Sequence, residues 1–151
     1  MRPFLNNLIL PAAVALAACS LHAQAPVEIT TGLSGPQRLI LTPRGNILVT
    51  ETSTTPNSGK VTFVTRGGQK ATLLDNMPSG VEITGGGSGP TGLALRGKTL
   101  YVAQGGGDSE RRGTRPGSMI WNNEGISSPI HSSILVFEFS KDIDDAQGPF
   151  L

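Results

Sequence analysis

The segment Gly35 to Glu51, G-P-Q-R-L-I-L-T-P-R-G-N-I-L-V-T-E, returns at Gly89 to Gln104 as G-P-T-G-L-A-L-R-G-K-T-L-Y-V-A-Q. Each copy has a Gly-Pro lead-in, an apolar segment, a glycine turn, and a second apolar segment ending on a side chain with a carbonyl group. Apolar runs this short, bounded by Gly and Pro, are β-strands joined by a turn. The offset is 54 from Leu39 to Leu93 and 53 from Val49 to Val102, so the second turn, Arg96-Gly97-Lys98, is one residue shorter. A hairpin written twice constrains the chain to repeated antiparallel sheet.

The rest of the chain extends each copy. Val27 to Thr31 alternates apolar and polar, the period-2 pattern of a half-exposed strand. Gln37 to Thr42 carries Leu39, Ile40 and Leu41 in sequence, a run suited to an inner strand covered on both faces. Pro43 presets φ for the turn that follows, and Gly45 can take the positive φ that closes it. Lys60 to Thr65 and Ala71 to Leu74 read as third and fourth strands, with Arg66-Gly67-Gly68-Gln69 turning between them. In the second copy, Ile134 to Phe139 is the third strand. Leu135 and Phe137 there match Val61 and Phe63 at an offset of 74, which implies a 21-residue insertion within Gly105 to His131.

Four short strands in a repeat of roughly 50 residues mark a propeller blade. The expected fold is all-β: a partial β-propeller of about two four-stranded antiparallel blades, preceded by Val27 to Thr31 as an orphan outer strand. Two blades cannot close a ring, so the chain is expected to be the N-terminal fragment of a longer propeller or a truncated reading frame.

Composition agrees with tight turns. The 151 residues include 20 Gly and 11 Pro, yet the apolar positions remain ordered, as disordered chains do not show. Formal net charge is +1 with the basic residues scattered, which excludes a nucleic-acid surface and leaves a membrane contact only through a lipid anchor. Residues 1–25 read as a signal segment, with Arg2 ahead of an apolar core from Leu8 to Ala18, and residues 26–151 as the propeller domain. Two processing readings stay open. Ala23-Gln24-Ala25 has small residues at the cleavage positions, though Pro26 would follow the cut. Leu16-Ala17-Ala18-Cys19 has the form of a lipobox, which makes Cys19 a lipidation candidate. Cys19 is the sole cysteine, so no intrachain disulfide forms. Either reading sends the protein out of a bacterial cytoplasm, to the periplasm, the outer membrane or the medium.

The runs I-T-T-G-L-S-G-P-Q-R-L-I-L-T-P-R-G-N-I-L-V-T-E and G-P-T-G-L-A-L-R-G-K-T-L-Y-V-A-Q, with the G-K-V strand between them, resemble the ScyD/ScyE family of exported NHL-type propeller proteins. The resemblance covers most of Val27 to Phe139 and implies the N-terminal portion of a six-bladed propeller. Gln37-Arg38-Leu39 departs from the family's Arg-Gly-Leu, and Pro43-Arg44-Gly45 lacks its turn aspartate. The family carries over no catalytic residues, and a propeller fold by itself assigns no activity.

Chemistry is sought first in the insertion, because long loops on a rigid scaffold carry binding residues. Asp108, Glu110 and Glu124 are oxygen donors suited to Ca²⁺, without the regular spacing of a calcium loop. Arg111, Arg112 and Arg115 could grip an anion, or pair with the neighbouring acids. Trp121, within Met119-Ile120-Trp121, is either a stacking platform or a pin that holds the loop down. His131 lacks a partner at metal-ligand spacing. Glu51 and Gln104 close equivalent strands and are candidates for a channel mouth. No other cofactor is indicated. Two function classes follow. One is an exported scaffold that binds a small molecule or an envelope protein. The other is a metal-assisted hydrolase, a lactonase or a sugar dehydrogenase built on a propeller.

Overall fold

The structure is a computed structural model that describes residues 25–82, 85–106, 110–121, 130, 132–146 and 148. β1 (Pro36–Leu41), β2 (Ile47–Glu51), β3 (Gly59–Val64) and β4 (Lys70–Met77) form an antiparallel meander in that order. β5 (Gly80–Val81) and β6 (Gly87–Ser88) make a short ladder. β7 (Pro90–Arg96) and β8 (Thr99–Gln104) are the second hairpin, followed by the small hairpin of β9 (Glu110–Arg112) and β10 (Met119–Trp121). β11 (Ser133–Glu138) then returns to β8, giving a sheet of order β11-β8-β7. The fold is all-β. Among the described residues no helix is long and apolar enough to cross a membrane.

The turns form as their residues dictate. Gly45 N–H donates to Thr42 O at 2.9 Å and Thr42 N–H to Asn46 O at 2.8 Å, with Gly45 at φ +77. That closes β1 onto β2 through a turn that needs a left-handed residue at its end. Thr65 to Gln69 repeats the geometry, with Gly68 at φ +83. In both turns the threonine hydroxyl also accepts the N–H four residues on, from Asn46 and from Gln69.

The two larger sheets pack face to face. Leu48, Val61 and Leu74 of the first sheet and Leu100 and Val102 of the second are buried in one core, with Ile40, Phe63, Leu93, Leu95, Leu135 and Phe137 around them. Burying each large aliphatic side chain contributes about 1.5–3 kcal/mol. Residues 139–146 close one end of this sandwich. Ile143, in a 3-10 turn over Ile143–Asp145, is fully buried within the core. Phe139 N–H donates to Lys98 O at 2.9 Å, which ties the segment to the β7–β8 turn.

Three expectations are corrected. Val27 to Thr31 is not a strand: Val27 is 76% exposed and Ile29 52%, and no ladder includes them. Residues 30–34 form an arm fastened to the first sheet by side chains. Thr30 Oγ1 donates to Gly68 O at 3.1 Å and Lys70 Nζ to Thr31 O at 2.5 Å. A Cβ on Gly68 would meet Ile29 O, so the arm sits where only glycine allows it. Alternation marks a face that can be half-buried, but pairing needs a neighbouring strand, and here the arm has none.

Next, β1 is not covered on both faces. Ile40 turns inward, whereas Leu39 and Leu41 are 60% and 66% exposed. Finally, Thr62 stands opposite Val49 and Leu135 opposite Val102. The backbone equivalent of Val61 is therefore Ile134, at an offset of 73, and the insertion is 20 residues rather than 21. Matching Leu135 to Val61 aligned residue type at the cost of register, and a slip of one residue exchanges the two faces of a strand.

Candidate functional site

In an antiparallel meander successive connections alternate between the two ends of the sheet. Tight turns join β1 to β2, β3 to β4 and β7 to β8, so they share one end, which residues 139–146 also cover. The long connections, residues 52–58, 78–89 and 105–132, all leave the opposite end. Here the loops are knit to one another. Ser53 N–H donates to Ser88 O at 3.2 Å, Gly80 N–H to Ser53 O at 3.0 Å, and Gly105 N–H to Gly89 O at 2.8 Å. Buried Ser79 accepts from Ser58 N–H at 2.7 Å and Gly59 N–H at 2.9 Å while donating to Thr55 O at 2.6 Å. These bonds satisfy backbone groups that the loops would otherwise bury unpaired.

Glu51 and Gln104 both end at this loop-bearing end, in different surroundings. Glu51 is 2% exposed, and its two carboxylate oxygens are engaged. Oε2 accepts from Ser34 N–H at 2.5 Å, Oε1 accepts from the Thr62 hydroxyl, and Lys60 Nζ stands 3.7 Å from Oε2. As arranged, the carboxylate anchors the arm to the first sheet. Gln104 is 3% exposed; its Nε2 donates to Pro78 O at 2.7 Å, and its Oε1 has no hydrogen-bond partner among the described residues. The repeat explains the difference. Positions equivalent to Ser34, Lys60 and Thr62 hold Ser88, Ser133 and Leu135, so the second copy has neither the ammonium of Lys60 nor the hydroxyl of Thr62.

Within the insertion, residues 110–121 form a hairpin. Met119 pairs with Arg112, Ile120 with Arg111 and Trp121 with Glu110, so five of the candidate positions lie on one hairpin. Its turn, Arg115-Pro116-Gly117-Ser118, has Ser118 N–H donating to Arg115 O at 3.0 Å and Gly117 at φ +74. Pro then Gly at the two central positions is the pattern for this turn, and it stands in the sequence as the signal for a hairpin. Arg115 is exposed at the tip, and β9 runs beside β5. Cys19, Asp108, Glu124 and His131 lie outside the described residues. Among the described residues no three His, Cys, Asp or Glu side chains gather as a metal site.

The turn-bearing end holds the strongest cluster of acids and bases that sequence patterning missed. Asp144 accepts from Thr42 Oγ1 at 2.5 Å, Asn46 Nδ2 at 2.7 Å and Arg44 N–H at 3.2 Å. Burial pushes its carboxyl up, but these hydrogen bonds and the Arg44 charge outweigh burial and leave its pKa below the usual value. Arg44 also forms a bidentate pair with Asp145, 2.7 Å at each contact, which lowers the Asp145 pKa. Asp144 thus supplies the carboxylate that the Thr42 to Asn46 turn lacks in its own sequence. These contacts are about 100 positions apart along the chain, beyond any local pattern. Compared with known proteins, the chain matches no family, no curated protein and no solved structure.

Proposed function

We propose that the chain is a β-propeller module, exported to the bacterial envelope, that acts as a non-catalytic binding scaffold. The observation that carries the reading is the division between ends. Every long connection leaves one end, where the β9–β10 hairpin and three arginines stand, while tight turns and a buried isoleucine close the other. Binding residues concentrate on loops that a rigid framework positions. The propeller reading is supported by the repeated hairpin and by β7 seated across β1, β2 and β3. Export rests on residues 1–25. The carboxylate on which an enzyme reading would lean, Glu51, is spent on Ser34, Thr62 and Lys60.

The test is a thermal-shift survey with sugars, small carboxylates, phosphate and Ca²⁺, run on this protein and on a variant with residues 106–131 replaced by a short Gly-Ser linker. A ligand that raises the melting temperature of the first and not of the second supports the loop-bearing end as the binding site. Stabilisation that survives the replacement, or turnover of any of these compounds, contradicts it.

A further inference from the structure

The repeat leaves two open apolar faces that match the interface already inside the molecule. Within the chain, the face of the second sheet bearing Leu93, Leu95, Leu100 and Val102 lies on the face of the first sheet bearing Ile40, Leu48, Val61 and Phe63. Carried through the repeat, the first set corresponds to Leu39, Leu41, Ile47 and Val49. The second set corresponds to Ala94, Tyr101, Ile134 and Val136. These are the outward faces of the two sheets, and each position that is apolar in the internal contact is apolar in its counterpart. Leu39, Leu41, Ile134 and Val136 are 60%, 66%, 70% and 54% exposed, and they account for most of the large exposed hydrophobic side chains among the described residues. Contiguous exposed apolar surface on a folded chain marks a contact site.

We infer that a second copy of this chain occupies these faces, β1 of one copy seating Leu39 and Leu41 on the Tyr101, Ile134 and Val136 face of the next. The contact continues the internal one, in which β7 lies across β1, β2 and β3. The arm does not block it. Val64 and Thr62, on the β3 part of the outward face, are already buried, whereas the β1 part stays open. The two faces differ, so the association is head to tail: it grows until the rotation closes a ring.

Analytical ultracentrifugation of the protein and of two variants tests this. Leu39→Lys/Leu41→Lys blocks one face and Ile134→Lys/Val136→Lys the other. All four positions are exposed, and circular dichroism checks that each variant folds. The protein is expected to sediment as an assembly and each variant as a monomer. An equimolar mixture of the variants retains one intact pair of faces and is expected to stop at a 1:1 complex. A monomeric protein at every accessible concentration overturns the inference. So does one variant that still associates alone, since that marks a like-to-like contact, or a mixture that stays monomeric. The inference leans on the propeller reading only for closure. Open-ended growth that the same substitutions abolish keeps the head-to-tail contact while contradicting the propeller.

Discussion

The β1–β2 and β7–β8 hairpins begin from nearly the same pattern and are stabilised differently. The first ends on a carboxylate with three partners, one of them Ser34 of the arm, and its turn is braced by Asp144. The second ends on an amide that, among the described residues, has its nitrogen bonded to Pro78 O and its carbonyl unpaired, and its turn is one residue shorter. The first presents Ile40 and Leu48 to the shared core, the second Leu93, Leu95, Leu100 and Val102. A repeat therefore preserves what the shared core needs, and the polar groups at the strand ends drift with the loops around them.

The largest effects should be equal in the two copies. Leu48→Ala and Leu100→Ala each remove a fully buried side chain from one core, and each should cost about 2–5 kcal/mol in chemical denaturation. A loss confined to one of them would break the comparison, because it would mean that the sheets do not share a core. At the strand ends the copies should part. Glu51→Ala strands the buried Thr62 hydroxyl and should cost about 1–3 kcal/mol. Gln104→Met gives up one hydrogen bond but also removes an unpaired buried carbonyl, so its cost should be about 1 kcal/mol or less.

Acid should weaken the first turn and spare the second. The folded-state pKa of Asp144 lies below its ordinary 3.8, so its contribution is complete above that value. It is lost as pH falls through the folded value. Asp144→Asn should flatten stability against pH in that acid range, as read by the melting temperature; an unchanged profile would remove Asp144 from the account. The smallest effect belongs to Arg44→Ala. The Arg44–Asp145 pair is half exposed on both sides, so the melting temperature should move little, and less still in high salt.

The strands of both hairpins, and β3 and β4, were legible because period, β-branched residues and glycine turns are local signals. The arm was misread for the same reason. Val27 to Thr31 has the alternation of a strand, but alternation does not supply a partner. The β9–β10 hairpin had a signal in Arg-Pro-Gly-Ser, overshadowed by the charges around it. Ile143 and Asp144 had none, since the core that Ile143 joins and the Thr42 and Asn46 partners of Asp144 lie far along the chain. At the candidate site, the sequence marked Glu51 and Gln104 as equivalent. It could not show that Thr62 and Lys60 complete one of them and that Leu135 and Ser133 leave the other incomplete.

Native-state hydrogen exchange tests the shared core most directly, because it reads the opening of each strand separately. The amides of Val49 in β2 and Val102 in β8, each in the middle strand of its hairpin and its third-strand partner, should exchange with the same free energy. Both should lose protection equally in Ile143→Ala. Exchange of the β8 amides at a lower free energy than β2, untouched by Ile143→Ala, would contradict two copies of one hairpin built around one core.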